Sequence, residues 1–175
     1  MAKYKEQDVK ALLSFALMWS QDRQEYLDKA IKTITQQFGQ ILEETETFNL
    51  PYSSYYEKEM GSNLVKKFIV VDKFIQKDKL VEVKHFSEKV EQDLSEGGNR
   101  TVNIDPLYID NDQIVVATSK YRGNRIYLRD GVFAELELWY HHKSFQPFLW
   151  TYLDYKEKIP FFNQVREIVL RKKGQ

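Results

Sequence analysis

The 175-residue chain carries 26 basic and 26 acidic side chains, three His and no Cys. Without Cys there is no catalytic thiol, no disulfide and no Cys-ligated zinc or iron–sulfur site. With zero net charge, no general affinity for nucleic acid or anionic lipid is expected. A chain this long buries about 70% of its unfolded surface, enough for one core, and we expect a single domain over residues 1–175.

The longest apolar run, Ala11–Trp19, falls well short of the roughly 20 residues of a membrane helix. Glu6 and Asp8 interrupt the basic residues ahead of it, and Ser20-Gln21-Asp22 is a poor cleavage site. Lys10–Trp19 therefore reads as a buried strand of a cytoplasmic protein with no membrane partner.

From Asp22, the apolar residues Tyr26, Ala30, Ile31, Ile34 and Phe38 recur at helical spacing, and Gly39 stops the helix. Gln40–Leu50 alternates and reads as a strand. Pro51–Asn63 reads as a Tyr-rich loop, and Leu64–Ile75 as a strand. Leu80, Val83, Phe86, Val90 and Leu94 place a helix within 79–96, ended by Gly97-Gly98. Val102 and Ile104 lead into Asp105-Pro106, a pair that suits a helix N-cap with Pro at the first helical position.

Asp110–Lys120 carries two signals. Ile114, Val115 and Val116 favour a strand, whereas Asp110 or Asn111 as an N-cap favours a short helix. Arg125–Leu128, Asp130-Gly131 and Val132–His141 form a hairpin with a type I′ turn, in which 127 pairs with 134 and 126 with 135 to within one residue. A further turn near Lys143-Ser144 leads to a strand over Phe145–Trp150. Phe161, Phe162, Val165, Ile168 and Val169 mark a closing helix with Pro160 in its first turn. The order implies an α+β fold. We expect an antiparallel or mixed sheet with helices on one face, a ferredoxin-like core and a C-terminal β-hairpin extension.

Several chemistries are absent. The chain has no G-x-x-x-x-G-K-[ST] phosphate loop, no G-x-G-x-x-G turn, no G-x-S-x-G elbow, no H-E-x-x-H and no EF-hand loop. His141 and His142 are adjacent, so on a strand they face opposite sides, and we assign neither to a metal. Polar residues instead gather among apolar strands between 99 and 135: Arg100, Asn103, Asp105, Lys120, Arg125, Tyr127, Asp130 and Glu135. Arg supplies a planar fork for phosphate or carboxylate. Asp105 or Glu135 is the candidate base or metal ligand. Arg125–Glu135 also fits a plain cross-strand ion pair.

A second cluster, Tyr52, Tyr55, Tyr56, Glu57, Glu59, Met60 and Gly61, suits stacking on a planar ligand or covering a sheet end. A third, Trp150-Thr151-Tyr152 with Asp154-Tyr155, reads as core packing.

The ordered set Tyr55–Gly61, Val102–Pro106 with Tyr108, Ala117-Thr118-x-Lys120, Arg125–Leu128 with Asp130-Gly131, Ala134-Glu135 and Trp150–Tyr152 with Asp154-Tyr155 resembles a prokaryotic family, the domain of unknown function 4416. Leu107, Asn124 and Arg129 depart from its usual Gly, His and Gly. The resemblance favours the helix over 110–118. It also implies that Tyr56, Glu59, Asn103, Asp105, Lys120, Arg125, Tyr127 and Glu135 belong together. It supplies no activity and no cofactor, and the label "GTP-binding protein" borne by some members meets no phosphate loop or N-K-x-D motif here.

The reading that follows is a protein binding a small anion or a nucleotide-type ligand, at a site built from residues 100–135 and the loop 52–61. The alternative is a non-enzymatic protein- or RNA-interaction module using sheet and aromatic surface.

Overall fold

A computed structural model describes residues 3, 5–50 and 54–174. In chain order the elements are β1 (Lys10–Ser20), α1 (Gln24–Phe38), β2 (Ile41–Glu44), β3 (Phe48–Asn49), α2 (Ser54–Met60), β4 (Leu64–Gln76), α3 (Leu80–Asp93), β5 (Val102–Ile109), β6 (Gln113–Thr118), β7 (Ile126–Arg129), β8 (Val132–His141), β9 (Ser144–Pro147), α4 (Leu153–Glu157) and α5 (Ile159–Lys173). The strands form one nine-stranded sheet in the order β2-β4-β1-β5-β6-β8-β7, with β3 on β4 and β9 on β8. The pairings are antiparallel. No helix among the described residues is long and apolar enough to cross a membrane.

The apolar run Ala11–Trp19 is the middle of this sheet, paired with β4 on one side and β5 on the other. Its residues are buried on alternating faces. Leu13, Phe15 and Leu17 pack with Leu27, Ala30 and Ile34 of α1 and with Leu80, Val83 and Val90 of α3. Leu12 and Ala16 pack with Tyr155 of α4 and with Phe162, Val165 and Val169 of α5. Helices therefore cover both faces, not the one face expected. An unbroken apolar run, rather than an alternating one, is the mark of a strand covered on both sides.

Four local expectations need correction. Gln40–Leu50 is not one strand: the amide of Phe68 takes the hydroxyl of Thr45 at 3.0 Å in place of a ladder carbonyl, which separates β2 from β3. The Tyr-rich loop contains a helix, α2, because Tyr56 and Met60 at i and i+4 both pack on Met18 and Leu64. Asp110–Lys120 contains a strand, β6, not a helix. Asp110 caps a turn there, its Oδ1 accepting the amides of Asp112 (2.7 Å) and Gln113 (2.9 Å), and β5 folds back onto β6. The strand expected over Phe145–Trp150 ends at Pro147.

The Asp130-Gly131 turn has both residues at positive φ, 51° and 78°, as a type I′ hairpin requires. A bulge between Tyr127 and Arg129 moves the register, so Ile126 faces Ala134 and Tyr127 faces Phe133. His142 lies in the β8–β9 turn at φ 49°, and its ring sits 3.8 Å from that of His141 instead of on the opposite side.

Candidate functional site: a cavity where two strands part

Asp105-Pro106 does not begin a helix. Both residues lie inside β5, opposite Ala16 and Phe15 of β1. The amide of Ile104 points away from β1 and donates to Oε1 of Glu91 at 2.5 Å. By the two-residue alternation of a strand, the missing amide of Pro106 also falls on the side away from β1. That side is where β6 would run. β6 pairs with β5 only over Leu107–Ile109 and then departs.

Asn103 and Asp105 on one side of the gap, and Val116, Ala117 and Thr118 on the other, line a cavity of about 370 Å³. Tyr55 and Tyr56 of α2, Lys66 of β4, Arg125, Glu135 of β8, and Tyr152, Asp154 and Tyr155 close it. The volume lies in the range of small-molecule pockets.

Two buried ion pairs stiffen the wall. Arg125 Nε meets Glu135 Oε2 at 2.7 Å, with the side chains 6% and 0% exposed. The rest of the guanidinium donates to the carbonyl of Lys120 (2.7 Å) and the hydroxyl of Tyr152 (3.0 Å). Asn124, one of the departures from the family pattern, donates to the other oxygen of Glu135 at 2.5 Å. Lys66 meets Asp154 at 2.5 Å, with the side chains 13% and 9% exposed. Burial alone would depress the Lys66 ammonium, but Asp154 beside it, with Asp105 and Tyr56, raises it and keeps it charged.

Asp105 differs from these carboxylates. Its side chain is 35% exposed, against 0% for Glu135 and 9% for Asp154, so it opens to the cavity. Lys84 reaches its Oδ1 at 3.4 Å and the Asn103 amide its Oδ2 at 2.7 Å. Burial would raise its pKa. Lys84, Lys66 and Asn103 outweigh that and hold the carboxyl below its usual range. Of the two candidate bases, Asp105 is therefore ionised and open to the cavity, whereas Glu135 is bound to Arg125 and Asn124.

A second row of residues fixes the first. Arg100 grips Glu59 of α2 with Nε (2.7 Å) and Nη2 (2.8 Å), and its Nη1 holds Asn103 at 2.6 Å. The Arg100 bond keeps the Glu59 carboxyl low. This bridge ties α2, which carries Tyr55 and Tyr56, to the strand that carries Asp105. Glu91 is pushed up to about 7 by burial, against the pull of Lys84. Burial pushes Glu137 up to about 8, assisted by Glu135. Oε1 of Glu137 is buried with no hydrogen-bond partner among the described residues, and its Oε2 accepts the amide of Tyr152 at 3.3 Å. The hydroxyl of Thr151 anchors to the Glu137 carbonyl at 2.5 Å, which docks the start of α4 against β8.

Of the residues expected to form the site, Tyr56, Asn103, Asp105, Arg125 and Glu135 line the cavity. Glu59 supports it through Arg100. Lys120 stands at the rim, its ammonium 5.8 Å from the centre of the Tyr55 ring, with no ion-pair partner among the described residues. Tyr127 is elsewhere: it is 59% exposed and packs on Phe133 at 5.3 Å, because its place in the hairpin is directly opposite that ring. Tyr52 lies outside the described residues. Sequence reasoning missed Lys66 and assigned Tyr152, Asp154 and Tyr155 to core packing. Lys66 carried no separate signal, because β4 also holds Lys67, Asp72 and Lys73.

Among the described residues no group of three or more His, Asp or Glu side chains is placed to hold a metal ion. Fold and cavity together define an α+β protein with a largely apolar pocket, carrying a few charged and amide groups, set into an antiparallel sheet. The family model described as "Domain of unknown function (DUF4416)" matches residues 9–168, and the chain belongs to that family. Comparison with curated proteins and with solved structures gives no match.

Proposed function

We propose that this protein binds a small polar ligand of the nucleotide type, with its planar part enclosed in the cavity and its anionic end at the mouth beside Lys120. The observation that carries this reading is convergence. α2, β4, β5, β6, β8, α4 and the segment before β7 each give a side chain to one cavity. Polar groups drawn from so many segments are costly to bury unless they serve a ligand. Tyr55, Tyr56, Tyr152 and Tyr155 supply flat walls for a ring. A bare inorganic anion suits the pocket less, because Lys66 and Arg125 already face Asp154 and Glu135.

A thermal-shift panel of nucleosides, nucleotides, phosphates and carboxylates tests the reading. A ligand at 100 times its Kd stabilises by about 2.7 kcal/mol, roughly 5–10 °C at this size. Lys120→Ala should weaken nucleotides but not nucleosides. No shift from any compound removes the reading.

One observation favours an interaction module as the second reading. Trp139, His141, Phe148 and Trp150 stack in a ladder along the β8–β9 edge, beside the fully exposed Leu149. No general nucleic-acid affinity belongs to either reading. A cytoplasmic location is also part of this proposal, supported by the use of Ala11–Trp19 as a central strand. The strand order β2-β4-β1-β5 with α1 and α3 on one face supports a ferredoxin-like core extended by β6–β9.

A further inference from the structure

The charged and amide groups of the cavity are unequally engaged. The donors of Arg125, Lys66 and Asn103 are committed. Arg125 spends Nε, Nη1 and Nη2 on Glu135, Lys120 and Tyr152. Lys66 faces Asp154. The Asn103 amide donates to Asp105, and its carbonyl is taken by Arg100. The open acceptor is Asp105. An ionised carboxylate has about four lone-pair positions, and Asp105 receives one donor on each oxygen, from Lys84 and from Asn103. Both donors come from the protein, while over a third of the side chain is clear of it. The carboxylate is thus clamped in place with acceptor capacity turned to the cavity.

We propose that the ligand is an amino-substituted nitrogen heterocycle, whose exocyclic N–H donates to Asp105 while its ring lies among Tyr56, Tyr152 and Tyr155. This rests on the reading of the cavity as a ligand site and names the chemical class that site selects. A bare C–H at that edge would leave the cavity-facing lone pairs of Asp105 unfilled, and a carbonyl would set two acceptors against each other. Discrimination by a buried polar group left without its partner is the strongest kind a pocket achieves.

Calorimetry at millimolar ligand with adenosine, purine riboside and inosine tests this. Purine riboside lacks only the amino group, and inosine replaces it with a carbonyl. Adenosine should bind wild-type protein at least about tenfold more tightly than either, as one hydrogen bond to a charged acceptor implies. In Asp105→Asn the preference should shrink to about twofold or less. Equal binding of the three nucleosides by wild-type protein overturns the donor rule and leaves the pocket reading standing. No binding of any of them overturns both. The wild-type comparison holds even if Asp105→Asn fails to fold.

Discussion

Arg125 and Glu135 form an ion pair of 2.7 Å that is almost wholly withdrawn from water. The expected cross-strand pair and the expected site residue are thus the same contact. Its two partners also line the cavity, so the pair sets the shape of one wall. Breaking a buried pair from one side leaves a charge without compensation. Arg125→Met should therefore destabilise the fold by about 3–5 kcal/mol. Arg125→Met with Glu135→Met should recover most of that loss. Urea denaturation of the two variants checks both statements, and a double variant no more stable than the single one would contradict the account.

Glu137 should make stability fall with rising pH. Its carboxyl ordinarily titrates near 4.5 and is pushed up to about 8 in the fold by burial and by Glu135. Well below 4.5 the group is protonated in folded and unfolded chains alike. Between those values the folded chain holds a proton that the unfolded chain has lost. The contribution is therefore fully present in acid and disappears as pH rises through about 8. Glu137→Gln should remove this part of the slope, leaving that of Glu91, and stabilise the protein above neutral pH by an amount on the order of a few kcal/mol. Denaturation midpoints of both proteins from pH 5 to 9 decide it.

Pro106 should control the width of the cavity. Pro106→Val supplies an amide directed toward β6 and permits the β5–β6 ladder to extend past Leu107. Hydrogen exchange should find that new amide protected, and the thermal response to nucleosides should weaken. An exposed amide with an unchanged ligand response would mean that Pro106 is not what parts the strands.

Two tyrosines should behave in opposite ways. Tyr152→Phe removes the acceptor that Arg125 Nη2 holds at 3.0 Å, and should cost about 0.5–1.5 kcal/mol together with some ligand affinity. Tyr127→Ala, on an exposed strand outside the cavity, should change stability by about 0.5 kcal/mol or less and leave ligand binding intact. Denaturation and the nucleoside panel on both variants provide the comparison.

Local pattern reported much of this fold. The run from Ala11 to Trp19 announced a fully buried strand, and Asp130-Gly131 announced its hairpin turn. What local pattern could not report was decided by partners distant in sequence. Asp105-Pro106 has the form of a helix start, and only β1 on one side and Glu91 on the other make it strand. Asp110 has the form of an N-cap and in fact caps a turn with the same oxygen. Tyr127 pairs with Phe133, and its ring rests on that side chain outside the cavity. Lys66 and Asp154 enter the site from strands and helices 88 positions apart, a separation at which no spacing rule applies.

The central claim is that the cavity between β5 and β6 takes a ligand. The most direct measurement is an amide NMR titration of the full chain with adenosine. The result expected is saturable shifts confined to Tyr56, Asn103, Asp105, Thr118, Arg125 and Tyr155, with β2, β3 and the β8–β9 turn unmoved. Shifts gathered instead along Trp139, Phe148 and Trp150, or none at millimolar adenosine, would contradict it.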